Sequence, residues 1–325
     1  MADATEIWLP LAPGSVEGLP DSLTYRHWDG EDEYPADPAN CAVYVVPYMK
    51  GAEIAVRPLE QMRGLRVVQT LTAGIDHIAS AIPRLPAGTR VCNARGVHDA
   101  STAELALALT LASLRHLPES VQAQGRGEWA PGVHQALADK SVLIVGYGSI
   151  GTAVEERLLP FEVAAVHRVA RSARTGPHGP VHALADLGTL LPSADVVILT
   201  APLTEETRGL VDARFLSRMR DGALLVNVAR GAIVDTGALL AETGGAAAAA
   251  GGAHGAQGRL RAALDVTDPE PLPASHPLWR APGVLITPHV GGATSAFPPR
   301  AGRLLREQLK RWVAGEELEH VVDVA

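Results

Sequence analysis

The stretch VLIVGYGSIG, Val142 to Gly151, decides the fold of this chain. Its four leading apolar residues predict a strand that is buried on both faces, as strands of parallel sheets are. The segment TAVEERLLP at 152–160 then has helical apolar periodicity, which Pro160 ends. The turn between them has the spacing G-x-G-x-x-G and consists of Gly146, Tyr147, Gly148, Ser149, Ile150 and Gly151.

Each glycine of this turn suits the binding of a dinucleotide. Gly146 permits the tight turn, Gly148 lets backbone N–H groups approach a pyrophosphate, and Gly151 lets the helix pack closely on the strand. The N-terminus of the helix adds unpaired N–H donors and about half a positive charge. A glycine triplet between a strand and a helix therefore predicts a dinucleotide site rather than a plain turn.

The composition is that of a globular protein with two domains of ordinary size. The 325 residues are 47% hydrophobic and 20% charged. A formal net charge of −8 argues against nucleic acid or an anionic membrane as a partner. No apolar run approaches the ~18 residues that span a bilayer, and no secretory signal is recognisable. The two cysteines suggest neither a disulfide framework nor a metal site, so we expect a cytoplasmic protein.

The first third of the chain alternates short apolar segments with turn-rich connections, which predicts a small doubly wound parallel sheet. Functional residues in such sheets gather in the loops after the strands, and the loop LTAGIDHI at 71–78 is one of these. The predicted strands are EIWLP (6–10), LTYRHW (23–28), AVYVVP (42–47), LRVVQTL (65–71) and TRVCNA (89–94).

The longest predicted helix is DASTAELALALTLASLRHL at 99–117, with Ser101 or Thr102 as its N-cap. Apolar residues on all of its faces indicate that it is buried. After the glycine turn, the alternation of strands and helices resumes. The later predicted strands are FEVAAVHRV (161–169), ADVVILTAP (194–202), GALLVNVAR (222–230), LRAALDV (260–266) and GVLITPHV (283–290).

The end of the chain predicts a discontinuous domain. The Ala/Gly-rich segment 241–259 has no face to bury, and we expect a mobile surface loop there. The amphipathic helix at 299–318 follows the last strand and should pack back on the first domain. The expected fold class is α/β with two doubly wound parallel sheets. A dinucleotide-binding domain, residues 99–292, interrupts a substrate domain, residues 1–98 plus 293–325.

The cofactor preference depends on the end of the second strand of the nucleotide domain. NAD-binding versions of this fold carry an Asp or Glu there, ~20 residues after the glycines, which binds the ribose 2′-hydroxyl. This chain has no such carboxylate, and its basic residues Arg168 and Arg171, with Ser172, suit a 2′-phosphate instead. A solvated basic loop is the alternative. We therefore predict that NADP is preferred and that NAD is possible.

Three side chains at strand ends of this domain suit the reduction of a 2-keto acid: Arg230, Glu270 and His289. Histidine is the natural acid/base at neutral pH, and a neighbouring carboxylate would orient its ring and keep it protonated. The planar fork of arginine matches a substrate carboxylate. Each of the three taken singly could equally be structural, because strand ends often carry charged residues without a catalytic role.

Five motifs follow one another in order: GYGSIG (146–151), TAPLTEETRGL (200–210), LVNVARGAIVD (225–235), ALDVTDPEPLP (263–273) and LITPHVGG (285–292). They resemble the motifs of the D-isomer-specific 2-hydroxyacid dehydrogenases, and the similarity covers nearly the whole chain. In that family the Arg, Glu and His of these motifs form the catalytic set, which implies these roles for Arg230, Glu270 and His289.

The resemblance also implies a substrate domain of flavodoxin-like topology, a cleft between domains and a homodimer. Backbone N–H groups of the loop Leu71, Thr72, Ala73 and Gly74 would hold the substrate carboxylate. Asp265 would bind the nicotinamide carboxamide. Further residues that would line the cofactor are Thr102, Pro202, Thr207 and Ala229.

The function expected from the resemblance is the reduction of a small 2-keto acid of the glyoxylate or hydroxypyruvate type. Two alternatives remain open at this point. A nucleotide-sensing co-repressor of this fold keeps the same three residues, but the chain lacks long disordered tails. An unregulated 3-phosphoglycerate dehydrogenase would need a cation near residues 71–74, and that loop contains none.

Overall fold

The computed structural model describes residues 6–244 and 258–323. They form two compact units, one from Met1–His98 and Ser295–Ala325 and one from Asp99–Thr294. Most of the Ala/Gly-rich segment predicted to be a surface loop, residues 245–257, lies outside the described residues. Among the described residues, no helix has both the length and the apolar character needed to cross a membrane.

Each unit is built from strands that alternate with helices. The strands are β1 (Glu6–Leu9), β2 (Thr24–His27), β3 (Cys41–Val45), β4 (Val67–Gln69), β5 (Arg90–Cys92), β6 (Ser141–Val145), β7 (Ala165–Ala170), β8 (Arg174–Gly176), β9 (Gly179–Ala183), β10 (Val196–Leu199), β11 (Leu224–Asn227), β12 (Arg261–Leu264) and β13 (Val284–Ile286). The α-helices are α1 (Ala52–Val56), α2 (Asp99–Leu114), α3 (Leu117–Gly125), α4 (Ser149–Leu158), α5 (Leu187–Leu190), α6 (Ala213–Arg218), α7 (Thr236–Glu242) and α8 (Phe297–Ala314).

The first unit contains a parallel sheet in the order β2-β1-β3-β4-β5. This is the flavodoxin-like order that the resemblance implies. The closing helix α8 packs on this sheet as predicted, because Leu305 and Leu309 lie in one apolar cluster with Ile7 and Val43. The unit therefore takes its core from both ends of the sequence.

The end of the chain covers the outer edge of β5. Val321 forms an antiparallel bridge with Cys92. The Val322 N–H donates to the Val91 carbonyl over 2.8 Å, and the Asn93 N–H donates to the His320 carbonyl over 3.1 Å. Backbone groups at this edge of the sheet are therefore paired.

The second unit contains a sheet in the order β13-β12-β11-β10-β6-β7-β9-β8. Its strands are parallel except for the antiparallel pair β8–β9. The predicted strands of this unit are present, whereas β8 and β9 were not predicted. Chain order reverses between the neighbours β6 and β10, and ligands of such sheets bind in the crevice at the carboxyl ends of these strands.

Helix α2 is buried and begins at Asp99 as predicted, but its N-cap and its end differ from the prediction. It begins at Asp99, so Ser101 and Thr102 lie inside its first turn and neither is the N-cap. Their hydroxyls instead bind the loop after β13: Ser101 Oγ lies 2.7 Å from Thr294 Oγ1, and Thr102 Oγ1 donates to the Gly291 carbonyl. The helix ends at Leu114 rather than at residue 117, because His116 has a left-handed backbone with φ of 52°.

A buried ion pair joins α4 to β7. The Glu155 side chain is 1% exposed and forms a two-pronged pair with Arg168, whose Nε donates to Glu155 Oε2 over 2.7 Å. The Tyr147 hydroxyl donates to the same carboxylate oxygen over 2.5 Å. Burial, and then the bond to Glu155, raise the pKa of Tyr147. These three side chains fix the glycine turn to the helix and strand that flank it.

Removal of this carboxylate should destabilise the second unit. We expect Glu155→Ala to lower the free energy of unfolding by about 3 kcal/mol, because it leaves the largely buried Arg168 guanidinium, 12% exposed, without its carboxylate partner. Urea unfolding followed by far-ultraviolet circular dichroism measures this. The neighbouring Glu156 is exposed, so Glu156→Ala should change the free energy of unfolding by less than about 0.5 kcal/mol. Equal losses in the two variants would contradict a special role for Glu155.

Candidate active site

The glycine turn between β6 and α4 has the geometry predicted from its spacing. Gly146 has a φ of 104°, and a Cβ there would lie 2.2 Å from the Ala201 amide nitrogen. A Cβ at Gly151 would lie 2.8 Å from the Gly146 carbonyl oxygen. A Cβ at Gly148 would meet nothing within 4 Å. Two glycines therefore allow close packing, and the third borders open space.

That open space is a cavity of about 250 Å³ at the carboxyl ends of β6, β7 and β10. Helix α4 begins beside it at Ser149, so unpaired N–H groups of its first turn are near the cavity. The shape and the donors fit a dinucleotide pyrophosphate. The residues that line the cavity are Gly146, Tyr147, Gly148, Ala170, Arg171, Arg174, Leu184, Thr200, Ala201, Pro202, Thr204, Glu206 and Thr207.

The cations near this cavity differ from the predicted set. Arg171 lines it and pairs with Glu206, with 3.2 Å between Arg171 Nε and Glu206 Oε2. Arg174, which was not predicted from the sequence, also lines it and donates from Nη2 to the Tyr147 carbonyl. Arg168 was expected to bind a 2′-phosphate, but its guanidinium is held by the buried Glu155. Ser172 is exposed in the turn between β7 and β8 and is not among the lining residues.

The remaining residues expected to contact the cofactor have different positions in this unit. Pro202 and Thr207 line the cavity, and the Thr207 hydroxyl donates to the Pro202 carbonyl over 2.7 Å. Ala229, Asp265 and Thr102 are buried and lie outside the set of lining residues. Ile150 is half-buried in the first turn of α4.

Asp265 anchors the loop that follows β13. The residue is 2% exposed, and its carboxylate accepts hydrogen bonds from the Thr287 hydroxyl and from the N–H groups of Val290 and Gly291 at 2.6, 2.9 and 2.9 Å. Its own carbonyl accepts from the His289 N–H over 2.8 Å. A Cβ at Gly291 would lie 3.0 Å from Asp265 Oδ2. These contacts fix the backbone on both sides of His289.

His289 and Glu270 form the predicted pair. Their contact is 2.5 Å between His289 Nδ1 and Glu270 Oε1, and the two side chains are 32% and 39% exposed. His289 has a positive φ of 53°, which few residues other than glycine adopt. Because Nδ1 of the ring contacts the carboxylate, Nε2 is available to bind a substrate. The pair can therefore act as an acid/base with an oriented ring.

Arg230 lies in the loop after β11, and its backbone is held on two sides. The buried side chain of Asn227 donates from Nδ2 to the Arg230 carbonyl over 3.0 Å. The next residue, Gly231, packs so closely that a Cβ there would lie 1.9 Å from the Thr267 carbonyl oxygen. The loop that carries Arg230 therefore contacts the loop that leads to Glu270. Neither Asn227 nor Gly231 was singled out from the sequence, although both belong to the VNVARG motif.

The expected carboxylate loop, Leu71 to Gly74, belongs to the first unit. It follows β4 at the carboxyl edge of that sheet. Leu71 is buried, and Thr72, Ala73 and Gly74 are half-buried. Each carbonyl of these four residues accepts a hydrogen bond from within the unit. The loop is therefore rigidly held.

Comparisons with known proteins identify the family. The family described as D-isomer specific 2-hydroxyacid dehydrogenase, NAD binding domain, matches residues 107–291. A glyoxylate reductase/hydroxypyruvate reductase from Mus musculus is 36% identical over 262 residues, which are 78% of this chain and 76% of the relative. The chain belongs to the D-isomer specific 2-hydroxyacid dehydrogenase family. It is therefore an NAD(P)-dependent oxidoreductase with a Rossmann-type two-domain fold, as predicted.

Two further members of this 2-hydroxyacid dehydrogenase family show the range of its activities. A D-3-phosphoglycerate dehydrogenase from Mycobacterium bovis is 31% identical over 324 residues, which are 97% of this chain and 57% of that protein. An NADPH-dependent glyoxylate/hydroxypyruvate reductase from Sinorhizobium meliloti, solved with NADP and malonate, is 26% identical with a TM-score of 0.79. The similarity covers 99% of this chain and 97% of that structure.

The contact of Gly231 with the Thr267 carbonyl gives a test of the site's backbone in this dehydrogenase. We expect Gly231→Ala to lower the unfolding temperature by more than about 4 °C and to reduce turnover, because its Cβ overlaps the facing backbone. Differential scanning calorimetry and a turnover assay measure the two effects. A Cβ at Gly125, at the end of α3, meets nothing within 4 Å. Gly125→Ala should therefore leave both quantities near wild type, and similar behaviour of the two variants would contradict the argument.

Proposed function

We propose that this chain reduces a small 2-keto acid of the glyoxylate or hydroxypyruvate type to its D-2-hydroxy acid, with NADPH as the preferred cofactor. The observation that carries the proposal is the contact between His289 and Glu270 at the carboxyl edge of the sheet that holds the glycine turn. The names of the mouse relative and of the Sinorhizobium meliloti structure agree with this substrate class.

The proton comes from His289 in this mechanism. Glu270 accepts the hydrogen bond of Nδ1–H, which directs Nε2–H to the substrate carbonyl oxygen. The nicotinamide ring, when bound, supplies the hydride. His289 and Glu270 thus provide an oriented acid.

The substrate carboxylate has two proposed binding groups. The guanidinium of Arg230 matches a carboxylate and can also polarise the adjacent carbonyl. The backbone N–H groups of residues 71–74 in the first unit provide the second group. With the carboxylate held, the keto carbon has one orientation toward the hydride donor.

The preference for NADP is assigned to Arg171 and Arg174. Both line the cavity beside the glycine turn, whereas no Asp or Glu ends β7 to bind a ribose 2′-hydroxyl. A bound 2′-phosphate would replace Glu206 as the ion-pair partner of Arg171. Arg174 takes the phosphate-binding role that was predicted for Arg168, because Arg168 is already paired with Glu155. Ser172 remains a further donor for the phosphate, and NAD remains a possible but poorer cofactor.

The chain is also proposed to act as a homodimer in the cytoplasm. The irregular segment between α3 and β6 has Trp129 at 96% exposure and Val133 at 104%, which suits burial against a second copy. Cys41 and Cys92 are free and buried, and burial raises the pKa of their thiols to about 12 and about 11. Neutral, inaccessible thiols suit a reducing compartment.

The acid role of His289 has a direct test. We expect His289→Ala to reduce kcat about 10²- to 10⁴-fold, because general acid catalysis contributes about this factor. NADPH affinity, measured by fluorescence titration, should stay near wild type. His178 is exposed in the β8–β9 turn, so His178→Ala serves as the control with unchanged kcat. Survival of most activity in His289→Ala would overturn this role, and no turnover of any 2-keto acid by the wild type would favour a nucleotide-sensing protein.

The cofactor preference is tested by kcat/KM with NADPH and with NADH. The wild type should prefer NADPH, and Arg171→Leu and Arg174→Leu should each reduce kcat/KM for NADPH about tenfold or more. The value for NADH should change little, because NADH has no 2′-phosphate. Arg214, exposed on α6, supplies the control Arg214→Leu. A preference for NADH above about tenfold in the wild type would contradict the proposal.

A further inference from the structure

Every carbonyl group of the loop Leu71–Gly74 accepts a hydrogen bond from a donor in the same unit. A carbonyl oxygen that faces a carboxylate would repel it, so this arrangement removes four negative dipoles from the ligand side. The donors are His98 Nε2 for Leu71 at 2.7 Å, Ala94 N and Thr70 Oγ1 for Thr72 at 2.9 Å each, Asn93 Nδ2 for Ala73 at 3.0 Å and Thr72 Oγ1 for Gly74 at 2.7 Å.

The carbonyl contacts determine where the amides point. In a planar trans peptide unit, the C=O of one residue and the N–H of the next point in opposite directions. When the carbonyls of Leu71, Thr72 and Ala73 bind inward, the N–H groups of Thr72, Ala73 and Gly74 face away from those donors. Across residues 6–244 and 258–323, no hydrogen bond uses these three N–H groups. Three adjacent amides without a partner inside the described residues are suited to bind an anion.

Among the described residues, the side chain of His98 is the only one that binds the carbonyl of the peptide unit between Leu71 and Thr72. Because a carbonyl oxygen has no proton, the Nε2 of His98 must be the donor in its 2.7 Å contact with Leu71. His98 is 6% exposed and lies six residues after β5, at the carboxyl edge where the loop also lies. Its bond therefore sets the direction of the Thr72 N–H.

The His98 ring is itself held by two aromatic rings of the same unit. It stacks at 5.5 Å on Tyr48 and at 5.3 Å on Phe297, each with an interplanar angle of 13°. Tyr48 and Phe297 stack on each other at 4.2 Å. The ring plane is thus fixed from the loop after β3 and from the start of α8, and Nε2 has little freedom to leave the Leu71 carbonyl.

We infer that His98 is a positioning residue for substrate binding: through the Leu71 carbonyl, it directs the Thr72 N–H toward the carboxylate of the 2-keto acid. The inference rests on the proposed function, because it takes residues 71–74 as the carboxylate site. It assigns His98 no role in proton transfer. Loss of its N–H should weaken substrate binding and leave the binding of the dinucleotide unchanged.

The test compares two replacements of the same ring. His98→Phe keeps a flat ring for the stack but has no donor, whereas His98→Gln keeps an N–H near the position of Nε2. We expect His98→Phe to raise KM for glyoxylate and hydroxypyruvate about 3- to 10-fold, as the loss of one hydrogen bond would. The kcat and KM for NADPH should change less than about twofold, and His98→Gln should recover most of the lost affinity. His27, exposed in β2, gives the control His27→Phe.

Hydrogen exchange of the peptide that covers residues 70–78, measured by mass spectrometry, provides a readout that does not depend on turnover. His98→Phe should speed exchange at the hydrogen-bonded amides of this peptide, those of Thr70 and Ile78, and His98→Gln should not. Unchanged KM and unchanged exchange in His98→Phe would overturn the inference while the proposed function stands. Equal effects of His98→Phe and His98→Gln would also overturn it, because they would indicate a packing role only. If the wild type reduced no 2-keto acid, the proposed function would fail, and the inference about a substrate would fail with it.

Discussion

Parallel pairing of the strands is the constraint on which the site of the second unit depends. Because β6, β10, β11, β12 and β13 run in one direction, the loops after them meet at one edge, with neighbouring strands about 4.8 Å apart. The glycine turn follows β6, and Arg230, Glu270 and His289 follow β11, β12 and β13. Residues more than a hundred positions apart in sequence thus reach one edge without a long loop. A single strand of opposite direction would place its loop at the other edge.

The sequence predicted most strands and the pair His289–Glu270, because strand patterns and family motifs are local signals. The predictions from the sequence failed where a contact between distant residues determines the structure. The role of Arg168 depends on Glu155, which lies on another element, and no spacing rule indicates that pair. Strands β8 and β9 are short and polar and lack apolar alternation. The true end of α2 depends on a left-handed backbone at His116 that periodicity does not predict.

Asp265 illustrates how one buried carboxylate can hold a whole loop. A carboxylate has about four acceptor positions, and the loop around His289 uses three of them in this buried group. One position remains for the nicotinamide carboxamide contact that the resemblance implies. The contact implied by the resemblance would link the placement of His289 to the binding of the cofactor, because both would draw on the charge of Asp265.

The pairing of the chain's end with β5 bears on self-association. An open edge strand presents a row of N–H and C=O groups that can template aggregation with other chains. Val321 and Val322 occupy that row next to Val91 and Cys92. A protein shortened before these residues would leave the backbone groups of Val91 and Asn93 open to pairing with another chain, so residues 320–322 oppose intermolecular sheet formation.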